Sequence, residues 1–338
     1  MKIGIVEPAL ASPARGNTVS VKRWRTCLER RGKSVRVLSP DELSLKDALQ
    51  GLDVLHAHHA IRTGPHAAKA AEKAGIPWVL SIGGTDLALD ENGKLDPRAA
   101  DSFSSAQLVM GPNWADAERL NAFLDSGVAF QRVRRGVVVP PRALGVRPHG
   151  LRGLLAGGIR EVKGQDIALD WFDAMDAKDT CQQLNLELLF AGPVIEEDYA
   201  TTFSRRIERR NRLAWLGSVE ASRMPRTFAR SDFLLNSSRL EGGSNAILEA
   251  WAHGRPVVAK RSPGNVEMLE SAPPSIAHLV ADRPEAMDAL FEWLQRLAAA
   301  DSKERQRRAR LARDYVSLHH DSEVETDELL RAYERARS

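Results

Sequence analysis

Cysteine is almost missing from this sequence. Cys27 and Cys181 are the only two in 338 residues, far apart and without paired spacing, so a disulfide framework and a cysteine-built metal site are both excluded and a reducing compartment is the simplest assumption. Long apolar runs are lacking as well. None approaches the roughly 20 residues of a membrane-spanning helix, and Met1-Lys2-Ile3-Gly4-Ile5-Val6 enters a strand-like segment with no basic region and signal core ahead of it. A soluble, cytoplasmic protein is expected. Charge of one sign is also lacking, since 48 basic and 45 acidic side chains leave a net +3. So even a balance gives no nucleic-acid signature unless the charge gathers on one face. Basic stretches at 205–212 and 305–313 have no interleaved aromatics for base stacking and read as solvated helix faces. Lys22, Arg23, Arg25, Arg30 and Arg31 on the first helix leave peripheral contact with an anionic membrane as an alternative.

Several catalytic signatures are absent. The first strand runs into Glu7-Pro8-Ala9-Leu10-Ala11-Ser12-Pro13-Ala14-Arg15-Gly16-Asn17, without the Gly-x-Gly-x-x-Gly a dinucleotide needs, and no Gly-x-x-x-x-Gly-Lys-Ser/Thr cradle occurs. Neither a Gly-x-Ser-x-Gly elbow nor a His-Glu-x-x-His helix is present. What the chain does contain, 43% hydrophobic and 28% charged residues, excludes disorder and collagen-like repetition and suits two ordinary globular domains.

Short β-branched runs alternate with segments of helical period, the pattern of parallel sheets covered by helices on both faces. Strands are expected at Lys2–Val6, Ser34–Leu38, Val54–His56, Trp78–Ser81, Leu108–Gly111 and Phe130–Val133. Helices are expected at Val19–Arg31, Ala60–Ala74 and Asn113–Leu124, the first two stopping at Gly32 and Gly75. Three prolines and two glycines across Val139–Gly150 deny that stretch both helix and ladder hydrogen bonds, marking an interdomain linker. Beyond it, strands at Leu151–Ala156, Leu186–Ala191, Leu213–Leu216, Phe233–Asn236 and Val257–Lys260 alternate with helices at Gln165–Met175, around Ser204–Arg210, and at Ser222–Ala229 and Asn245–His253. The stretch from Lys303 to Arg337 reads as charged helix. The fold class is therefore α/β, with two Rossmann-like doubly wound domains facing each other across a cleft, where open α/β sheets bind ligands. Expected boundaries are 1–142 for an N-terminal Rossmann-like domain, 143–318 for a second one, and 319–338 for a C-terminal helix packing back on the first domain.

The most informative segment runs from Ser237 to Val258. A strand ends at Asn236, a loop carries Glu241, Gly242 and Gly243, and a helix opens with Ser244 or Asn245 as N-cap. The glycines let backbone N–H groups approach an anion, to which the helix N-terminus adds its dipole. Glu249, about a turn into the helix, is placed to accept two neighbouring hydroxyls. A diphosphate, a sugar and a ribose would be served by one segment; otherwise Glu249 is a solvated helix carboxylate.

Glu241 and Glu249, separated by seven residues, resemble the Glu-x7-Glu motif of retaining GT-B glycosyltransferases of the family 4 type, which implies that the first domain holds the acceptor and the second the nucleotide sugar. Ala252-His253-Gly254-Arg255-Pro256-Val257-Val258-Ala259 is similar to that family's continuation. The resemblance implies a UDP-sugar donor such as UDP-GlcNAc or UDP-glucose, no metal and no cofactor. Catalysis would fall to Glu241, Lys163 and His58, and donor binding to Glu249, Gly242, Gly243, Ser244, Asn245 and Arg160. In the family's Arg-x4-Lys pair, Lys163 is kept but Gly158 occupies the arginine position, so Arg160, Arg135 or backbone amides would have to replace a charge-assisted contact worth roughly 1.5 to 3 kcal/mol. His56-Ala57-His58-His59 resembles the family's His-x-His segment at the third strand, so that His58, or in second place His59, would meet the sugar or its phosphate, although a strand-end histidine is about as often a satisfied core residue. Gly16-Asn17-Thr18-Val19, Gly84-Thr85-Asp86-Leu87, Ser237–Asn245 and Pro263-Gly264-Asn265-Val266 are similar to selenosugar synthases of selenoneine biosynthesis, which join selenophosphate to a UDP-activated sugar. That implies an acceptor or phosphate site at Arg15, Gly16, Asn17, Thr85 and Asp86, with Lys22 or Arg62 also placed to position an anion. For an alcohol or lipid acceptor, Asp86 or His58 is the nearest base. The alternatives are a UDP-sugar epimerase or hydrolase, and a non-catalytic UDP-sugar-binding protein.

Overall fold

In the computed structural model, which describes residues 1–8, 16–45, 47–124, 127–141, 150–283 and 285–338, the chain divides into two compact units. One comprises Met1–Gly136 with His320–Ser338, the other Val137–His319. The linker expected at Val139–Gly150 falls mostly outside the described residues.

The first unit runs β1 (Lys2–Val6), α1 (Gly16–Arg30), β2 (Ser34–Leu38), β3 (Val54–His58), α2 (Gly64–Ala74), β4 (Trp78–Ser81), α3 (Pro97–Ser105), β5 (Leu108–Gly111), α4 (Trp114–Phe123) and β6 (Phe130–Arg132). Its six strands are ordered β2-β1-β3-β4-β5-β6 and pair in parallel. Helix α2 stops where expected, at Gly75, whose φ of 65° caps its last turn in the left-handed region. Sequence periodicity gave no sign of α3, a short helix of mostly small residues that is held by the Asp96 side chain accepting from the Arg98 amide. One face of the sheet packs Val6, Leu55, Ala57, Leu80 and Phe103. The other packs Ile3, Ile5, Val54, Trp24, Leu28, Leu329 and Tyr333, so the C-terminal segment supplies part of this unit's core.

The second unit runs β7 (Leu151–Ala156), α5 (Gln165–Asp176), α6 (Thr180–Gln183), β8 (Leu186–Ala191), α7 (Glu197–Ile207), β9 (Leu213–Trp215), α8 (Met224–Ala229), β10 (Phe233–Asn236), α9 (Asn245–Ala252), β11 (Val257–Lys260), α10 (Pro263–Leu269), β12 (Ala277–Val280), α11 (Glu285–Ala298) and α12 (Ser302–His319). The chain then returns to the first unit as α13 (Ser322–Arg337). The second sheet is also six-stranded and parallel, in the order β12-β11-β10-β7-β8-β9. Helix α7 begins seven residues before the expected Ser204, with Glu197 and Asp198 complementing its first turn, and ends before Arg209, whose φ is 61°. The sequence reading placed no element at α10, β12 or α11, although Leu290, Phe291, Leu294 and Leu297 are buried from α11 at helical spacing.

Much of the basic charge of α1 is neutralised within its own unit. Arg23 binds Glu325, Arg30 and Arg31 bind Glu323, and Arg31 also reaches Asp327, all on α13. Among the described residues no helix is long and apolar enough to cross a membrane.

Candidate active site

In the second unit, β10 delivers Asn236 to the carboxyl edge of the sheet, and the loop to α9 folds around it. The Asn236 amide donates to Glu241 Oε1 at 3.4 Å and to Ser244 Oγ at 3.1 Å, while its carbonyl accepts from the Ser238 amide at 3.1 Å and from Asn265 at 3.3 Å. Glu241 Oε1 also accepts from Ser238 Oγ at 2.7 Å and from Lys163 Nζ at 2.5 Å. Burial pushes the Glu241 carboxyl up, but the Lys163 ammonium and these donors outweigh it and hold the group below its ordinary 4.5. Glu241 is thus an ionised, fixed carboxylate. Ser244 is the N-cap of α9 by position, yet its hydroxyl is engaged with Asn236 and makes no side-chain cap bond.

Helix α10 clamps the loop from behind. A Cβ on Gly264 would lie 2.1 Å from the Glu241 carbonyl oxygen, so only glycine admits this approach. Gly243 has φ of 114°, a conformation other residues rarely adopt.

Lys163 lies in a tight turn after β7, ended by Gly164 at φ of 62°. The Gly164 carbonyl accepts from Ser237 Oγ at 2.6 Å, and the Val162 carbonyl accepts from the Arg239 amide at 2.9 Å. Arg239 adds a two-pronged contact to Asp166, at 2.9 and 2.5 Å. The two loops are therefore stapled together, and the Lys163–Glu241 pair is their inner contact. Arg160 and Glu249 are half-buried, the first at the start of the Lys163 turn and the second on α9; Gly242 and Asn245 are half-buried beside Glu241. At Gly158 an added Cβ would meet Ile195 Cγ1 at 2.5 Å. An arginine there would have to displace Ile195.

In the first unit, His58 ends β3 fully buried, with Nδ1 2.8 Å from Ser81 Oγ on the neighbouring strand. Burial, reinforced by Arg135, His56 and His59, pushes its pKa well below 6.5, so the ring is neutral. Thr85 Oγ1 is 3.1 Å from His59 Nε2. Asp86 is wholly buried, and its carboxylate accepts from the backbone amides of Ala60, Gly83 and Gly84 at 2.8 to 2.9 Å. Those bonds make Asp86 the organiser of its own loop. Gly16 and Asn17 open α1, whereas Arg15 lies outside the described residues. Lys22 and Arg62 are exposed. Arg135 is buried in this unit, where it donates to the Ile82 carbonyl at 3.2 Å. Sequence reasoning missed Asn236, Ser238, Asn265, Ser81 and Tyr333, because short polar residues acquire these roles only through partners distant in the chain.

Comparison with known proteins agrees with this architecture. The model of the family described as glycosyl transferases group 1 matches residues 151–298, the segment holding Lys163, Glu241 and Glu249. The structure of Anabaena HepE in complex with UDP-glucose is 17% identical with a TM-score of 0.77, over 98% of each chain. Sucrose-phosphate synthase from Thermosynechococcus elongatus is 14% identical with a TM-score of 0.79, over 99% of this chain and 98% of its own. The fold is GT-B, and the matched domain and fold are those of glycosyltransferases. In sequence, a glycosyltransferase 1 domain-containing protein from Xenopus tropicalis is 26% identical over 174 residues, 52% of this chain and 47% of the relative. The match thus spans about half the length of each.

Proposed function

We propose that this protein is a retaining glycosyltransferase that takes a UDP-sugar and transfers the sugar to a small anionic acceptor, with selenophosphate as the leading candidate. The carrying observation is the Lys163–Glu241 pair, 2.5 Å apart within a glycine turn at a helix start. Departure of UDP places negative charge on the diphosphate. Lys163 and the amides of Gly242 and Gly243 stabilise that charge from fixed positions, which is where preorganised donors lower a barrier most, whereas the Ser244 amide, counted with them in the sequence reading, donates to Met268 Sδ at 3.1 Å. Glu241 faces the donor sugar, Glu249 accepts from the ribose hydroxyls, and Arg160 stands in for the charge missing at Gly158. In the transfer, the bond from the anomeric carbon to the diphosphate oxygen breaks and a bond to the acceptor forms on the same face. With selenophosphate as acceptor the new bond is carbon to selenium, and the nucleophile is already an anion that needs no base. The HepE complex with UDP-glucose supports the donor class.

The test is a screen of UDP-glucose, UDP-galactose and UDP-GlcNAc against selenophosphate and simple alcohols, with products read by mass spectrometry. Turnover that requires an added acceptor is expected, and Glu241→Gln and Lys163→Ala are each expected to lower it by about 100-fold or more. Near-normal rates in both variants overturn the assignment. The side-chain-free Gly158 favours one second reading, a binding protein without turnover. That reading predicts UDP binding by calorimetry with no product from any donor.

A further inference from the structure

A continuous polar chain crosses the interior of the first unit. Tyr333 OH on α13 is 2.8 Å from His56 Nδ1, His56 Nε2 is 2.8 Å from Ser81 Oγ, and Ser81 Oγ is 2.8 Å from His58 Nδ1. Tyr333, His56 and His58 have no solvent exposure, and Ser81 has 7%. Trp24 stacks on His56 and meets His58 edge-on, closing this face of β3.

Protons along the chain can be ordered from its closed end. His56 Nδ1 is the hydrogen-bond partner the structure gives the Tyr333 hydroxyl, and a buried phenol must place its hydrogen on an acceptor. Tyr333 therefore donates to His56 Nδ1. Burial lowers the His56 pKa to about 3, so that ring is neutral and carries its one proton on Nε2, which donates to Ser81 Oγ. The Ser81 hydrogen then points to its other side-chain partner, His58 Nδ1, a ring that also lies within hydrogen-bond reach of the Ser81 backbone. A neutral His58 must hold its proton on Nε2, the nitrogen that is buried with no partner among the described residues.

We propose that Tyr333, acting through His56 and Ser81, is a positioning residue that fixes His58 as the Nε2–H tautomer, so that His58 donates a hydrogen bond to a substrate oxygen instead of accepting a proton. The donor role rests on the reading of His58 as a substrate-facing residue; the tautomer does not. The positive charge of nearby Arg135, which pushes the His58 pKa further down, suits the same kind of ligand atom, an oxygen bearing negative charge. With Nδ1 accepting from Ser81 and Nε2 protonated, His58 has no free lone pair to serve as base for an alcohol.

The experiment is long-range proton–nitrogen NMR of the histidine rings in the uniformly labelled full chain at pH 7.5 without substrate, with His58 assigned through His58→Gln. The wild type is expected to show His58 protonated at Nε2. Tyr333→Phe removes the terminal donor and is expected to convert His58 to a tautomer mixture. Ser81→Ala cuts the same chain at another link and is expected to do likewise, which keeps the test decisive if Tyr333→Phe does not fold. A wild-type His58 protonated at Nδ1, as it would be if it donated to the Ser81 carbonyl, overturns the proposal. So does an unchanged Nε2–H pattern in every variant that folds. Because no sugar nucleotide is added, either result leaves the transferase proposal standing or falling on its own assay.

Discussion

Lys163 and Glu241 lie 78 residues apart in the chain and 2.5 Å apart in the fold. Their side chains are 21% and 8% exposed, so each charge has lost most of its water and depends on the other. Removing either should leave an unpaired, largely buried charge. Lys163→Ala is expected to cost about 3 kcal/mol of stability, the low end for a broken buried pair, since Ser238 and Asn236 still donate to Glu241. In catalysis the pair should act as a unit, so that the double variant Lys163→Ala/Glu241→Gln loses little more kcat/KM than the worse single change. Urea unfolding and a kinetic double-mutant cycle measure the two effects, and simple additivity of the kinetic losses would show that the residues work separately.

Gly264→Ala separates the shape of the site from its chemistry. It alters no charged residue, yet its Cβ would sit 2.1 Å from the Glu241 carbonyl oxygen. The loop must move, at about 1 to 3 kcal/mol. UDP affinity measured by calorimetry is expected to fall at least 10-fold while the circular dichroism spectrum stays that of the wild type.

A second ion pair tests the role of the C-terminal helix. Arg23 holds Glu325 through two bonds of 2.7 and 2.9 Å, with the side chains 8% and 2% exposed. Glu325→Ala removes both of these bonds from a buried guanidinium and is expected to lower stability by about 3 kcal/mol. Arg25→Ala, on the exposed side of the same helix with its side chain 53% accessible, is expected to cost less than about 1 kcal/mol. Chemical unfolding of the two variants side by side provides the check.

Acid should weaken the fold before most carboxylates titrate. His56 and His58 are neutral when folded because burial lowers both below 6.5, His56 to about 3. Both states are uncharged above 6.5. As pH falls below that value the unfolded chain takes up protons that the folded chain refuses, so stability drops continuously down to the folded value. Each histidine contributes up to about 1.4 kcal/mol per pH unit. Glu241 adds a lower step: its folded pKa lies below its ordinary 4.5, so its contribution is complete above 4.5 and is lost as pH falls through the folded value. Urea midpoints at pH 7.5 and 5.5 should differ in this direction. Equal midpoints would mean that the two histidines are hydrated.

Within the described residues, sequence alone determined most strands of both sheets, because a buried parallel strand is a short β-branched run whatever surrounds it. It also determined the glycine turn that carries Glu241 ahead of α9, since a φ of 114° at Gly243 restricts residue type locally. Helix α3 and strand β12 were illegible because they are short and owe their order to a cap or to neighbouring strands. Tertiary structure alone decided that Lys163 meets Glu241, that Asp86 is occupied by three amides, and that Tyr333 connects to His58 through Ser81. Lys163 and Glu241 are 78 positions apart, Ala60 and Asp86 26, and His56 and Tyr333 277, and a hydrogen bond of 2.5 to 3 Å across such spans depends on the crossing of strands and helices, which periodicity along one segment does not encode.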